Sequence, residues 1–365
     1  MHVRNLGAIV ALLCASRVVA QGPAFATPLT TATEPFTRVL GVAELPDGRL
    51  VVVDGGEQLV RLVDFARDTS WQIGRRGRGP NEYLRPFGPV SLPGDSLAVY
   101  DTGNRRLLRI DPQGRPAGTM SIPPFIYARH GVSVPKGADA EGCLYFERSS
   151  HEDIEHLPVT GSIVRWRPGT MVLDSMASLI VRDREGRKVL APFIARDGWA
   201  VGRSGLAIVR AAPYRVEWYR PGAPAVVGAP VALEPLPLTD TEIDVYWNTT
   251  GTHPTGTARM QGGSGGDTQR HRAERARWDY PDALPLFDAT NGVRVDPSGN
   301  VWVTRRGRWN DTIQVVDIFD DQGAHRRSVR LPPHRHLVGF GDGVGYLVRV
   351  DENDLQWLER YRRPD

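Results

Sequence analysis

Two glycine-rich motifs in the chain match the spacing of catalytic loops. Residues 262–266, Gly-Gly-Ser-Gly-Gly, fit the G-x-S-x-G pattern in which a serine acts as a nucleophile. That chemistry needs the serine between a buried strand and a helix, whereas this motif lies in a low-complexity stretch typical of a loop. Residues 74–79 have the glycines of a phosphate-binding loop but lack its Lys-Ser or Lys-Thr pair. Neither motif therefore indicates a catalytic site.

Two histidine pairs have residue types suited to metal binding. His151 and His156 flank a run of acidic residues, but a spacing of five would direct their imidazoles to different faces of a helix. As part of a loop this cluster could still hold a cation. His334 and His336 would share one face of a strand, as a metal pair requires. The two prolines directly before them favour a loop, so no metal ligand is assigned.

The elements that must position any site are short strands in a sixfold pattern. Three of the intervals between repeats lie in the forties and two carry insertions. Such a period, built from hairpins without a long helical pattern, is typical of propeller blades. The sequence predicts an all-β, six-bladed β-propeller with four-stranded antiparallel blades. The turn glycines that mark the repeats are Gly48, Gly94, Gly142, Gly205, Gly299 and Gly343.

The first repeat shows why the chain turns where it does. Pro46 presets a turn dihedral and Gly48 accepts a positive φ, so the chain reverses without strain. The β-branched residues of 50–54 favour a pleated, buried strand. A single sheet of this kind cannot bury both faces, whereas neighbouring sheets packed around an axis can.

Two segments of the first repeats carry a family resemblance. Residues 73–83 read Ile-Gly-Arg-Arg-Gly-Arg-Gly-Pro-Asn-Glu-Tyr, and residues 101–106 read Asp-Thr-Gly-Asn-Arg-Arg. The first resembles the interblade segment of NHL-type and TolB-like six-bladed propellers, a group with exported bacterial members. The second is similar to the Asp-Thr-x-Asn-x-Arg loop of those repeats. The resemblance implies a toroid but no single activity, because such propellers include binding scaffolds, lactonases and lyases.

The lactonase-type propellers imply one alternative function, a calcium-dependent hydrolase or lactonase with its site in the channel. They bind one calcium ion through a few acids and asparagines, and residues 290–293 resemble one of their asparagine-bearing segments, which would direct Asn291 to the axis. Calcium takes about six to eight oxygen ligands, and the other blades supply no matching acids. A lyase would need channel histidines, and His130 alone is near the start of a strand.

Strand alternation identifies the face on which function is expected. The loop between the second and third strands of a blade lies beside the connection to the next blade, opposite the first turn. Functional residues usually lie on such loops, although these loops could also simply solvate the rim. Arginine pairs with carboxylates or stacks on rings, and aromatic residues supply large contact areas. The candidate binding residues on this face are Arg76, Tyr83, Arg106, Trp247, Arg305 and Trp309.

The largest departure from the repeat is residues 239–285, between blades four and five. The segment opens like a capped helix, with Thr239 or Asp240 as the cap and acids in the first turn. A flexible Gly-, Thr- and Ser-rich stretch and a helical pattern over 268–280 follow. The aromatic residues of the segment favour packing, so we expect a partly helical cap over the channel mouth. The alternative is a surface embellishment without a ligand.

Both ends of the chain have predicted roles. Residues 25–33 should supply the fourth strand of the last blade, which removes an open sheet edge. Residues 1–20 have the pattern of a cleaved signal peptide, so 21–365 should form one exported propeller domain, periplasmic or extracellular. Cleavage would leave Cys143 as a buried thiol without a disulfide partner. The apolar run of the leader is too short to serve as a membrane anchor.

Composition narrows the classes of partner. Hydrophobic residues make up 41% of the chain and charged residues 24%, as in ordinary globular proteins. The formal net charge of +3 falls to about +1 without Arg4 and Arg17 of the leader, which argues against nucleic acid as a partner. The sequence predicts a monomeric, non-catalytic module that binds a protein, peptide or carbohydrate, with no cofactor unless calcium is bound.

Overall fold

The computed structural model describes residues 25–124, 134–148, 160–181, 193–249, 275 and 278–364. These residues form 26 strands and one helix. The strands of the first half are β1 (Thr30–Thr31), β2 (Val39–Glu44), β3 (Leu50–Asp54), β4 (Leu59–Asp64), β5 (Thr69–Gln72), β6 (Arg75–Arg76), β7 (Glu82–Tyr83), β8 (Pro86–Ser91), β9 (Leu97–Asp101), β10 (Arg106–Ile110), β11 (Pro116–Ser121), β12 (Gly137–Ala138) and β13 (Leu144–Arg148). The strands of the second half are β14 (Thr160–Trp166), β15 (Leu173–Ile180), β16 (Gly198–Gly202), β17 (Gly205–Arg210), β18 (Arg215–Tyr219), β19 (Val226–Val227), β20 (Val293–Val295), β21 (Val301–Thr304), β22 (Val315–Phe319), β23 (His325–Arg330), β24 (Arg335–Gly341), β25 (Val344–Val350) and β26 (Gln356–Arg362).

Six four-stranded antiparallel sheets form the blades of a propeller. Blades one to five are β2–β5, β8–β11, β12–β15, β16–β19 and β20–β23, and blade six combines β24, β25 and β26 with β1. The first strands of successive blades contact one another from β24 through β2, β8, β12 and β16 to β20, so these strands surround the central channel. The predicted fold is confirmed.

The turn glycines have the backbone conformation that the repeat predicts. Five of them lie between the first and second strands of their blades and Gly205 begins the second strand of blade four, with φ values from +62° to +132°. L-residues rarely adopt these angles, whereas glycine adopts them without a steric penalty. The repeat is therefore fixed at its turns by backbone conformation and between them by buried β-branched strands such as β3, all of whose residues are buried.

The hydrophobic core is divided among the interfaces between neighbouring blades. Between blades one and two, Val53 and Leu62 pack in one cluster with Val99 and Leu108. These residues come from the second and third strands of each blade, which are covered on both faces. Each blade therefore depends on its neighbours for burial, as expected for a closed toroid.

The N-terminal segment closes the ring, as predicted. Thr30 pairs with Arg360 across β1 and β26, and the Ala32 amide donates to the Leu358 carbonyl at 2.9 Å. The ring of Phe25 is buried against Trp302 and Tyr361, with ring centroids 6.2 and 5.7 Å away. Backbone pairing and aromatic packing together hold the two ends of the described chain in one blade.

The insertion between blades four and five contains helix α1 (Asp240–Thr249). Thr239 is its N-cap: the backbone N–H and the hydroxyl of Thr239 both donate to the Glu242 carboxylate, the N–H at 3.2 Å. These hydrogen bonds from the cap to the third helical residue correspond to part of a capping box. They confirm the predicted start of the helix. The predicted second helix was wrong at its end, because 278–280 are not helical. Tyr280 precedes a proline, which disfavours the helical conformation.

Several sequence predictions lie outside the described residues. These are the leader, His130, the cluster 151–156, the motif 262–266 and most of the second predicted helix. Cys143 is described: it is a fully buried, free thiol, and burial raises its pKa. Among the described residues, no helix is long and apolar enough to cross a membrane.

Candidate binding site

The connectors of blades one and two are organised by two buried aspartates at the ends of β3 and β9. Asp101 accepts hydrogen bonds from the backbone N–H groups of Leu84 and Arg85 in the connector, at 3.1 and 3.0 Å. It also accepts the N–H groups of Gly103 and Asn104 in its own loop. Asp54 binds four backbone N–H groups in the same way. The Asp-Thr-x-Asn-x-Arg resemblance therefore corresponds to a structural link between connector and loop.

The candidate residues of blades one and two are used mostly by that connector. Tyr83 is fully buried between the blades, and its hydroxyl accepts hydrogen bonds from the Val60 amide and the Gln72 side chain. Arg106 donates to the carbonyls of Gly79 and Glu82 at 2.5 and 3.0 Å. Tyr83 is thus a core residue and Arg106 a support for the connector. Arg76 is exposed on β6.

The glycines of 74–79 have a structural reason in the same connector. Gly74 has a φ of +64°, and a Cβ at this position would lie 2.7 Å from the Asn81 carbonyl oxygen. The segment folds back on itself so that β6 and β7 form a short parallel pair. This geometry explains the glycine pattern without a bound phosphate.

Blade five uses its loop-face residues differently. β21 ends in Thr304 rather than in aspartate, and Arg305 follows it. The Arg305 guanidinium donates two hydrogen bonds to the buried Asp317 carboxylate of β22, at 2.8 and 2.7 Å. Ser328 and Tyr214 also donate to this carboxylate. Burial raises the pKa of Asp317, but the hydrogen bonds from His325, Arg305 and Ser328 outweigh it and hold the pKa well below its ordinary value.

The loop after Arg305 holds helix α1 against the propeller. Arg308 donates to the Pro237 carbonyl at 3.1 Å and pairs with the Glu242 carboxylate at 2.9 Å. Burial opposes ionisation of Glu242, but hydrogen bonds from Thr239 and Arg308 keep its pKa below the ordinary value. Because this loop connects the second and third strands of blade five, the insertion lies on the face predicted to carry function.

A cavity of about 700 Å³ lies between α1 and the loop of blade five. Its size is within the usual range of small-molecule sites, about 300 to 1,000 Å³. Most of its wall is apolar, and the polar groups are concentrated on the blade-five side. The residues that line it include Phe193, Leu236, Val245, Tyr246, Asp288, Arg305, Arg306, Trp309, Ile313 and His336.

Two side chains of this wall are available to a ligand. The side chain of Trp309 is 57% exposed, which is unusual for so large an apolar group. Arg306 is half-buried, and its guanidinium makes no hydrogen bond or ion pair within the described part of the chain. An exposed indole and a guanidinium on one wall can bind a ligand by stacking and by hydrogen bonding.

The structure brings together only part of the predicted set of site residues. Arg305 and Trp309 line the cavity. Trp247 directly follows the wall residue Tyr246 but does not line the cavity; it is buried and donates to the Tyr280 hydroxyl at 2.9 Å, so it stabilises the insertion. Sequence reasoning missed Arg306 and Tyr246. Arg306 directly follows the predicted Arg305, and Tyr246 directly precedes the predicted Trp247. Their location in the blade-five loop and in the insertion was the signal in the sequence that could have identified them.

The cavity continues towards a cationic region of the channel, which sequence reasoning also missed. His336 lines the cavity and belongs to β24, a channel strand. Lys136 directly precedes the channel strand β12, and Arg294 belongs to the channel strand β20. The Lys136 ammonium donates to the Thr290 carbonyl at 2.9 Å, and the Arg294 guanidinium donates to the carbonyl of the next residue, Asn291, at 2.6 Å. Burial lowers the pKa of His336, and the nearby charge of Arg294 lowers it further.

The surroundings of Asn291 do not favour calcium. Its carbonyl oxygen accepts a hydrogen bond from a guanidinium, and its N–H donates to the Asp288 carboxylate at 3.1 Å. Cationic neighbours oppose a divalent cation, and calcium needs several oxygen ligands. His334 has a φ of +59° and precedes β24, so it does not share a strand face with His336. In the described ranges, no group of three or more acidic, histidine or cysteine side chains is placed to hold a metal ion.

Comparison with known proteins identifies relatives in fold. No family model and no curated sequence matches the chain. A solved member of the DUF4221 family from Bacteroides vulgatus shares 10% identity and a TM-score of 0.49, over 94% of this chain and 97% of that one. A gluconolactonase from Xanthomonas campestris shares 13% identity and a TM-score of 0.45, over 94% and 96% of the two chains. At these identities the likeness concerns the path of the chain and assigns no activity.

Proposed function

We propose that this protein is a binding propeller whose ligand occupies the cavity between α1 and the blade-five loop. The observation that carries the proposal is the exposed Trp309 indole on the wall of a 700 Å³ cavity beside the guanidinium of Arg306. The ligand is expected to combine an apolar or ring-shaped part, which stacks on Trp309, with hydrogen-bond acceptors for Arg306. A sugar ring or an aromatic peptide side chain has this chemistry.

The rigidity of the cavity wall supports a binding role. Arg305 is fixed by Asp317, and Arg308 is fixed by Glu242 and Pro237, so these two arginines hold the loop. Trp309 and Arg306 then stand on a braced loop beside α1. Pre-ordered contact residues lower the entropic cost of binding. The proposal assigns no side chain a catalytic role.

A neutral fluorescent probe tests the cavity directly. We expect N-phenyl-naphthylamine to bind the wild-type protein and the Trp309→Ala variant to bind it about tenfold more weakly. Trp71→Ala is the matched control, because Trp71 is 42% exposed but lies on the outer strand of blade one. Glycan and peptide arrays probed with the wild type and both variants then identify the ligand class. Equal probe affinity in the wild type and Trp309→Ala would reject this site.

The calcium-dependent hydrolase has a separate test. The binding role predicts that the dialysed protein binds the probe equally well with and without a chelator. Calcium retained through dialysis, together with an esterase or lactonase activity that chelation abolishes, would contradict the binding role and support the enzyme. Elemental analysis of the purified protein supplies the first of these measurements.

We also propose that the protein is exported with removal of residues 1–20. The proposal is supported by the basic start, the apolar core and the small residue Ala20 before Gln21. N-terminal sequencing of protein expressed with its own leader should begin at Gln21. Recovery of the protein in the cytoplasm with residues 1–20 still attached would contradict export.

A further inference from the structure

Two cationic side chains converge at one point of the channel wall. Lys136 approaches from blade three and Arg294 from blade five, and they donate to the carbonyls of the adjacent residues Thr290 and Asn291. The two heads are therefore held near each other by one short loop. The Lys136 ammonium also lies 4.9 Å from the centre of the Trp199 ring, which fixes it further.

Among the described residues, no carboxylate contacts either cation directly. In the part of the chain that the structure describes, no ion pair includes Lys136 or Arg294. The nearest acids are already engaged: Glu147 pairs with Arg196 and accepts the Trp199 N–H, and Asp288 accepts two backbone N–H groups. Lys136 uses one of its three donors and Arg294 one of five in the described contacts, so most donors are free.

The electrostatics of the cluster agree with this geometry. Burial, aided by the charges of Arg196 and Arg294 and opposed by those of Glu147 and Asp288, lowers the pKa of Lys136 to about 8. Burial also lowers the pKa of Arg294 to about 10. Both side chains remain partly accessible to solvent. Cations surrounded by protein but open to the channel favour an anion as the missing counter-charge.

We propose that the channel contains an anion site in which Lys136 and Arg294 bind a carboxylate, phosphate or sulfate group, with His336 at its edge. The guanidinium supplies paired donors in a plane and the ammonium a point charge, a combination suited to oxyanions. The site is independent of the cavity ligand, because neither Lys136 nor Arg294 lines the cavity. It opens towards the cavity through His336, which borders both.

The lysine content of the chain allows a selective experiment. Lys136 and Lys188 are the only lysines in the sequence, so reductive methylation with carbon-13 formaldehyde in a Lys188→Arg variant labels Lys136 together with only the terminal amine. Titration with inorganic phosphate or sulfate should shift the Lys136 resonance saturably. The pKa of the labelled amine should rise, because a bound anion favours its charged form. Chloride at equal ionic strength should cause neither change.

A second variant keeps the test decisive if methylation perturbs the site. In unlabelled protein, phosphate affinity measured by calorimetry should fall about tenfold in Arg294→Met, which loses charge-assisted hydrogen bonds. Arg294→Lys should retain most of the affinity, and Arg76→Met should not change it. Neutral-probe binding should persist in Arg294→Met, which separates this site from the cavity. A Lys136 resonance that does not respond to either oxyanion, or equal affinity in Arg294→Met, would overturn the proposal.

Discussion

The loop after the second strand is held by an aspartate in blades one and two and by an arginine in blade five. In the first two blades, an aspartate ends the second strand and binds backbone N–H groups of the connector and of its own loop. In blade five, an arginine follows the second strand and pairs with an acid on the third. The aspartate fixes main chain, whereas the arginine links two side chains of neighbouring strands.

Blade four shows the same arginine arrangement next to the insertion. Arg210, at the end of β17, pairs with Glu217 of β18 at 2.7 Å and with Asp197 at 2.7 Å. The aspartate connectors thus occur where the repeat is best preserved. Arginine–acid pairs between the second and third strands occur in blades four and five, next to the insertion and the cavity, and also in blade six, where Arg349 pairs with Glu359. The well-matched repeats thus hold the ring together, and the proposed binding surface lies at the departures from the repeat.

The largest expected effect comes from removing the aspartate link. Asp101→Ala would leave four backbone N–H groups without their acceptor, so the free energy of unfolding should fall by about 4 kcal/mol. Urea unfolding measures this loss. Asp101→Asn keeps one acceptor oxygen and should lose less, and both variants should bind the neutral probe normally while folded. Loss of probe binding in a folded Asp101 variant would break the distinction between the two regions.

The Arg305–Asp317 ion pair of blade five predicts that the stability of the protein depends on pH. Because hydrogen bonds and Arg305 depress the pKa of folded Asp317, its stabilisation is present at neutral pH and is lost progressively as the pH falls below about 4, the unfolded value. Asp317→Asn should lower the free energy of unfolding by about 3 kcal/mol at neutral pH and reduce this acid-dependent loss. Urea unfolding from pH 7 to 2 tests both. An unchanged pH slope in the variant would contradict the role of this carboxylate.

Arg308→Ala should affect the cavity more than the ring. Its removal leaves the buried Glu242 carboxylate without its ion-pair partner, at a cost of about 2 kcal/mol. We expect faster hydrogen exchange in α1 and weaker probe binding, with little change in blades one and two. Adding Glu242→Gln should recover part of the stability, because the uncompensated charge is then absent. Uniform loss of exchange protection in all blades would show that the insertion is not an independent unit.

The smallest effect is expected for Arg76. Its side chain is exposed on the connector of blade one and does not line the cavity. Arg76→Ala should change the free energy of unfolding by less than about 0.5 kcal/mol and leave probe affinity unchanged. Fluorescence titration and urea unfolding check the two quantities. A large loss of probe or ligand affinity would extend the binding surface to the first blades.

The fold was predictable because its signals are local. Each turn glycine has a positive φ, and each is followed by an apolar strand that any neighbouring blade can bury. Even the long-range closure by β1 was predictable, since a blade with three strands leaves an open edge. The cap at Thr239 was likewise visible as a short-range motif.

The proposed binding residues were harder to predict because their roles depend on contacts between distant segments. Tyr83 and Arg305 have the residue types of a binding surface, yet one is buried between blades and the other is held by Asp317. Lys136 and Arg294 are far apart in sequence and approach each other only because blades three to five curve around the channel. Residue type identified the loop face, but it could not distinguish which arginines are engaged by internal partners.

The pairing of Thr30 with Arg360 also sets an order for biogenesis. A nascent chain presents residue 30 long before residue 360, so blade six stays incomplete until residue 360 has been synthesised. During that interval the outer edge of β26 or the unpaired N-terminal segment is open to another chain, which invites exchange between copies. A chaperone that shields the early segment would protect the protein at this stage.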